Sequence, residues 1–99
     1  MVNQMNSIHI NVIKSQLSDL NLIDIREEIE FLALPKLAGA KHIPMIKLIQ
    51  SPENYLNQDT CYHLVCRSGA RTAQVTEYLT SLGYNVVNVE GGMLEFYHD

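Results

Sequence analysis

Basic residues are scarce in this chain: seven Lys and Arg stand against eleven Asp and Glu, for a formal charge of −4 and a pI near 5.4. No cluster of cations breaks this pattern, and because phosphate binding depends on clustered cations, nucleic acid is not an expected partner. Long apolar runs are missing too, so no membrane partner or span is expected. Met1 to Asn6 carry neither a basic segment nor an apolar stretch. No secretory leader is therefore visible, and the cytoplasm is the expected compartment. Only two cysteines are present, Cys61 and Cys66. If the residues between them form a strand, five steps of ~3.3 Å put the two about 16 Å apart. A disulfide needs Cα atoms within roughly 7 Å, so the pair is not bridged within one chain. The four histidines, His9, His42, His63 and His98, are dispersed, and no His/Cys spacing resembles a zinc site.

What is there is a globular composition, 46% hydrophobic and 18% charged over 99 residues. The expectation is one domain over residues 1–99, without linker, repeat or low-complexity tract. A chain of this size buries ~60% or more of its unfolded surface, which leaves room only for a small site built on the core itself.

Ser7 to Ile10 reads as a short strand, and Asn11 to Leu20 has a weak helical pattern. Leu22 to Ile25 is an apolar strand. Glu27, Glu28 and Glu30 ahead of Phe31 and Leu32 suit the first turn of a short helix. Pro35 to Pro44 reads as irregular, with Ala40 to Ile43 extended. Ser51-Pro52-Glu53 reads as a helix start with Ser51 as the cap. Tyr62 to Val65 is a strand, followed by a helix with apolar residues at Val75, Tyr78, Leu79 and Leu82 that Gly83 stops. Asn85 to Val89 is a further strand, and Gly91-Gly92 turns the chain into a terminal helix. Strands alternating with helices predict an α/β fold: a mainly parallel sheet with helices on both faces. Ligands in such sheets bind at the carboxyl ends of strands, which is where Cys66 falls.

The segment Cys66-Arg67-Ser68-Gly69-Ala70-Arg71 joins a buried strand to the start of an amphipathic helix. It holds a thiol, two guanidinium groups, a hydroxyl and a glycine free to turn left-handed. Backbone N–H groups in such a turn can converge into an anion cradle. A free thiol is only a few per cent thiolate at pH 7, and making it mostly thiolate takes ~2.7 kcal/mol. A helix dipole supplies roughly 0.3–1 kcal/mol at an exposed site, so loop amides and arginines must supply the rest. A buried cysteine can be an inert core residue; two arginines and a glycine within five residues favour a reactive thiol. Arg71, closing the loop at the helix start, is favoured as a site residue. Arg67 is balanced between site residue and solvated loop charge.

Four motifs in order resemble the single-domain rhodaneses, a sulfurtransferase family whose members carry a sulfane sulfur as a persulfide on one cysteine. They are Leu22-Ile23-Asp24-Ile25-Arg26-Glu27 with Glu30-Phe31, the loop from Cys66 to Arg71, Gly83-Tyr84-Asn85-Val86, and Gly91-Gly92-Met93. The resemblance implies a rhodanese-like domain with about five strands, Cys66 as nucleophile and persulfide carrier, and loop residues Arg67, Ser68, Gly69, Ala70 and Arg71 holding the transferred sulfur or its donor. It implies a small sulfur-containing anion or a persulfide as donor, a thiol, cyanide or protein as acceptor, and neither metal nor organic cofactor. Nothing outside the loop chooses among thiosulfate, a glutathione persulfide, a polysulfide and a protein persulfide. Two stretches depart from the family pattern. Pro35-Lys36-Leu37-Ala38-Gly39-Ala40 keeps only the Gly-Ala of the usual Gly-His-Ile-Pro-Gly-Ala, and the chain ends Glu95-Phe96-Tyr97-His98-Asp99 where Trp is common.

Asp24 and Arg26 lie near the expected position of Cys66. Either Asp24 orients an active-site arginine, or, as we favour, the two pin the loop that follows. Glu30 reads as a structural carboxylate, and Cys61 as a packing residue rather than a resolving thiol. Two rival functions remain: a non-catalytic rhodanese-like binding module, and a cysteine-dependent phosphatase or arsenate reductase. The latter places five residues between Cys and Arg, against four here.

Overall fold

The computed structural model of the chain describes residues 6–97. Met1 to Met5, His98 and Asp99 lie outside the described residues, together with the readings placed on them. Five strands, β1 (Asn6–His9), β2 (Leu22–Asp24), β3 (Lys41–His42), β4 (Cys61–Val65) and β5 (Asn85–Glu90), form one sheet in the order β1-β5-β4-β2-β3. Every neighbouring pair is parallel, with Asp24 beside Val65 and His63 beside Val87. Parallel pairing needs a crossover between partners, and the helices α1 (Ile10–Ile13), α2 (Glu28–Ala33), α3 (Met45–Gln50) and α4 (Ala70–Ser81) lie in these connections, while α5 (Gly92–Phe96) follows the last strand.

Alternation along the strands divides the core into two. Ile23, Ile25, Leu64, Cys66 and Val86 face Leu48 of α3 and Val75 and Leu79 of α4. Leu22, Val65 and Val89 face Ile10 and Ile13 of α1 and Met93 of α5. Helices therefore cover both faces, as expected, and among the described residues no helix is long and apolar enough to cross a membrane.

Helix α4 ends in a Schellman turn: Gly83, at φ +95°, donates to Thr80 O at 3.0 Å and Tyr84 N–H donates to Leu79 O at 3.1 Å. Its buried stripe is Thr72, Val75, Thr76 and Leu79, whereas Tyr78 and Leu82 lie at the exposed rim. The expected stripe was displaced because two threonines count as polar in a sequence pattern and are buried here.

Three local expectations change. Helix α3 occupies a stretch where none was expected, and only Leu48 of its six residues is fully buried, so it prints no apolar period. Pro44 precedes it, and Met45 N–H donates to Ile25 O at 3.0 Å, tying the helix start to the end of β2. The helix expected after Ser51 is one 3-10 turn, Pro52–Asn54, and the Ser51 side chain does not cap it. The helical pattern over 11–20 divides into α1 and a 3-10 stretch, Lys14–Asp19.

Candidate active site

Strand β4 ends at Val65 and α4 begins at Ala70, so the turn between them presents Cys66 at the carboxyl edge of the sheet, beneath a helix N-terminus. Cys66 is fully buried. Gly69 stands at the helix cap with φ +96°, a left-handed conformation that L side chains rarely adopt. That conformation aims its N–H at Cys66 Sγ, at 3.1 Å. The Thr72 hydroxyl approaches the same sulfur at 3.6 Å. This hydroxyl has one proton and three claimants, Sγ, Gly69 O at 3.1 Å and Asn88 Oδ1 at 2.5 Å. Asn88, buried on β5, continues the network through Nδ2 to Ser7 Oγ at 3.4 Å.

The loop is held from the far side by the Gly-Gly turn. Met93 N–H donates to Cys66 O and Leu94 N–H to Arg67 O, both at 2.9 Å. A Cβ on Gly92 would fall on Cys66 O and Arg67 O, so the start of α5 comes this close only because residue 92 is glycine. Gly91 N would lie 3.2 Å from a Cβ on Gly69, so the two glycine turns also pack against each other.

The two loop arginines are placed differently. Arg71 Nη1 and Nη2 donate to Glu30 Oε1 and Oε2 at 2.7 and 3.0 Å, a bidentate pair. Glu30 also accepts the Glu27 N–H at 3.1 Å, closing a capping box at the start of α2. The Arg71 guanidinium holds the Glu30 carboxyl down at about 2, and the same contact raises Arg71 further above its ordinary value. Helix α2 is fixed in place by Phe31, whose ring stacks on His42 at 4.1 Å, and His42 Nε2 lies 2.8 Å from Arg26 O. Arg67 is exposed, and its side chain has no hydrogen-bond or ion-pair partner among the described residues. Ser68 Oγ accepts the Ala70 N–H at 3.4 Å, and both residues are exposed.

Asp24 and Arg26 are both buried and direct their bonds to each other and to the next loop. Arg26 Nη2 donates to Asp24 Oδ2 at 2.7 Å and to Pro35 O at 3.0 Å, and its backbone N–H donates to Asp24 Oδ1 at 3.0 Å. The atypical segment after α2 is thereby anchored at Pro35, while Leu37 is buried in the second core.

Two clefts flank the loop. One, of about 260 Å³, has Leu34, Pro35, Met93, Leu94 and Tyr97 as walls, with Arg26 and Arg67 at its edge. The other, of about 360 Å³, is bounded by Glu27, Glu28, Lys47 and Arg71 with Pro44 to Ile46 between. Away from the loop, Cys61 and Cys66 are both free thiols, and burial pushes the Cys61 thiol up. Burial also lowers His63, whose Nδ1 is buried without a partner among the described residues. Among the described residues no group of three or more His, Cys, Asp or Glu could hold a metal ion.

Three residues that shape the site escaped the sequence reading: Thr72, Asn88 and, as the partner of Arg71, Glu30. Thr72 could have been found by its place two residues after the helix start, where a side chain turns back toward the loop. Nothing local in the sequence announces Asn88.

Residues 9–99 match the family described as the rhodanese-like domain. YtwF of Bacillus subtilis (strain 168) is 42% identical over 76 residues, covering 77% of this chain and 72% of its own. A protein of Allochromatium vinosum named sulfurtransferase is 34% identical over 95 residues, covering 95% of this chain and 87% of its own. The crystal structure of a protein from Staphylococcus saprophyticus subsp. saprophyticus superposes with a TM-score of 0.83 at 41% identity, covering 93% of each chain.

Proposed function

The chain belongs to the rhodanese-like family of sulfurtransferases, and from that premise we propose that Cys66 carries the sulfur, as a persulfide, between a sulfane donor and a thiol or cyanide. The observation that carries this reading is the sulfur's own surroundings: Cys66 Sγ accepts the Gly69 N–H at 3.1 Å, with the Thr72 hydroxyl at 3.6 Å, below the N-terminus of a twelve-residue helix. Hydrogen bonds to an anionic sulfur are worth about twice those to a neutral one, so both groups support the sulfur while it carries charge in the transfer.

The thiolate attacks the outer sulfur of the donor. With thiosulfate the S–S bond breaks and sulfite leaves; with an organic persulfide the thiolate RS⁻ leaves. In either case the bond electrons go with the leaving group, no net oxidation occurs and no general base is needed. The persulfide then lies against the loop residues Arg67, Ser68, Gly69, Ala70 and Arg71 until a second nucleophile removes its outer sulfur. Asp24 and Arg26 stand outside the chemistry and fix the segment at Pro35, which lines the cleft beside Arg67. Two free thiols suit a reducing compartment, which supports the cytoplasm as the place of action.

The test is intact mass. Incubation with thiosulfate, an organic persulfide or a polysulfide adds the mass of one sulfur atom, cyanide removes it, and C66S does not take it up. A wild-type mass unchanged by every donor would instead favour a binding module that has lost the chemistry.

A further inference from the structure

The pairing of Arg71 changes which donors the loop can attract. A guanidinium held by two carboxylate oxygens at 2.7 and 3.0 Å has its unit charge balanced by Glu30 before a second anion arrives. The carboxyl stays ionised throughout the physiological range, since Arg71 holds it at about 2. The cleft on that side is lined by Glu27 and Glu28 against Lys47 and Arg71, and Glu30, paired with Arg71, adds a third carboxylate to the two cations. A dianion entering there meets net negative charge.

The other cleft has the opposite character. Its walls are Leu34, Pro35, Met93, Leu94 and Tyr97, and of its two guanidinium groups Arg26 is neutralised by Asp24. Arg67 is left, among the described residues, as one uncompensated positive charge beside an apolar wall, and the backbone of Arg67 is adjacent to Cys66 in the same loop. Such a surface matches an organic group with a single negative charge, which gains by burying carbon as well as by meeting the cation. The cleft is too apolar to solvate an inorganic dianion.

We infer that Glu30 is a specificity-determining residue: by occupying Arg71 it turns the loop away from inorganic dianions such as thiosulfate and toward an organic persulfide, R–S–SH, whose R group is apolar with one anionic end and lies in the cleft beside Arg67. The reaction it selects is attack of Cys66 Sγ on the outer sulfur. The new S–S bond forms at Cys66, the old one breaks, RS⁻ leaves and the proton stays on the transferred sulfur. This inference rests on Cys66 carrying sulfur, and deepens that reading by naming the class of donor.

The experiment measures kcat/KM for sulfur loading of Cys66 from two donors, thiosulfate and the persulfide of 3-mercaptopropionate, at two ionic strengths. The wild type is expected to favour the organic persulfide at least about tenfold. In E30Q, where glutamine can still close the capping box, the ratio of thiosulfate to organic persulfide rises about tenfold, and added salt then lowers the thiosulfate rate more steeply than in the wild type. L94E, a change at a half-exposed position of the apolar wall, puts a carboxylate beside Arg67 and lowers the ratio of organic persulfide to thiosulfate several-fold, and this variant decides the matter if E30Q does not fold. A wild type that favours thiosulfate, or donor ratios unmoved by the substitutions in folded protein, overturns the inference. Failure of every donor to load Cys66 overturns instead the sulfur-carrying reading on which it rests.

Discussion

Glu30 and Arg71, separated by 41 positions in the chain, meet through two parallel hydrogen bonds of 2.7 and 3.0 Å and so tie helix α2 to the first turn of α4. The pair is less than one-third exposed on both sides, so solvent weakens it without removing it. Because the Glu30 pKa in the folded chain is lowered from 4.5 to about 2, its contribution to stability is complete above pH 4.5 and is lost as the pH falls through 2.

The expected consequence is a pH-dependent gap between wild type and E30Q. At pH 7 the variant is less stable by about 1–2 kcal/mol, after allowance for screening. The gap narrows steadily below pH 4.5 as the wild-type carboxylate is protonated. Urea denaturation of both proteins at a series of pH values measures it, and a gap that stayed constant down to pH 2.5 would mean that the ion pair contributes nothing.

The Thr72 hydroxyl is the one side-chain group bonded to Cys66 Sγ among the described residues. Its single proton is shared with Gly69 O and Asn88 Oδ1, so the low end of the ~1.5–3 kcal/mol of a hydrogen bond to an ionised partner applies, roughly tenfold in an equilibrium or rate. T72V is expected to slow alkylation of Cys66 by iodoacetamide at pH 7, and sulfur uptake with it, by about tenfold, and T72S to restore most of the loss. The valine also leaves Asn88 Oδ1 without its partner, so a fall in stability of ~1–3 kcal/mol should accompany the change. Equal alkylation rates in T72V and wild type would assign the hydroxyl to the buried Asn88 network alone.

How far the site could be read from sequence follows from the range of each interaction. Cys66 and Gly69 lie three positions apart, so a strand end, a glycine and a helix start were enough to bring that thiol and an amide of its own loop together, whereas Thr72, one helical turn further on, was missed. The division of labour between the arginines depends on Glu30, which reaches the loop only through the order β4-β2-β3 and the docking of Phe31 on His42. That information is tertiary. Helix α3 was illegible for a different reason: six residues with a single fully buried side chain carry no period, and its start is set by a backbone bond from Met45 to Ile25 rather than by a capping side chain. Asn88 passed as one residue of the strand Asn85 to Val89, because a buried amide is recognisable only beside its partner Thr72.

The buried pair Asp24–Arg26 makes a strong claim on stability. Both side chains are only 1% exposed, and removing one partner strands the other's charge in a low-dielectric interior. D24A is expected to cost ~3–5 kcal/mol, while D24N, which keeps an acceptor for the Arg26 N–H groups, costs less. Thermal melts of the two variants check the order. If D24A were as stable as wild type but slow in sulfur transfer, the pair would belong to the chemistry and not to the scaffold.

The left-handed glycines separate backbone strain from steric exclusion. Gly39, at φ +82°, has nothing within 4 Å of where a Cβ would stand, so G39A meets only the conformational penalty, ~1–2 kcal/mol. Gly92, at φ +55°, carries that penalty and in addition directs its missing Cβ at Cys66 O and Arg67 O, neither of which can move without breaking its bond to Met93 or Leu94. G92A is therefore expected to cost at least ~2 kcal/mol more than G39A, because α5 must withdraw from the loop to make room. The withdrawal has a chemical signature that strain alone lacks. With the Cys66 and Arg67 carbonyls released, the loop loses its fixed curvature, the Gly69 N–H drifts from Sγ, and sulfur uptake falls in G92A under conditions where the protein remains folded. G39A, far from the loop in sequence and without a neighbour to displace, keeps full uptake. Urea melts paired with single-turnover sulfur loading of the two variants measure both effects, and equal loss of stability in G39A and G92A would show that the close approach of α5 to the loop is dispensable.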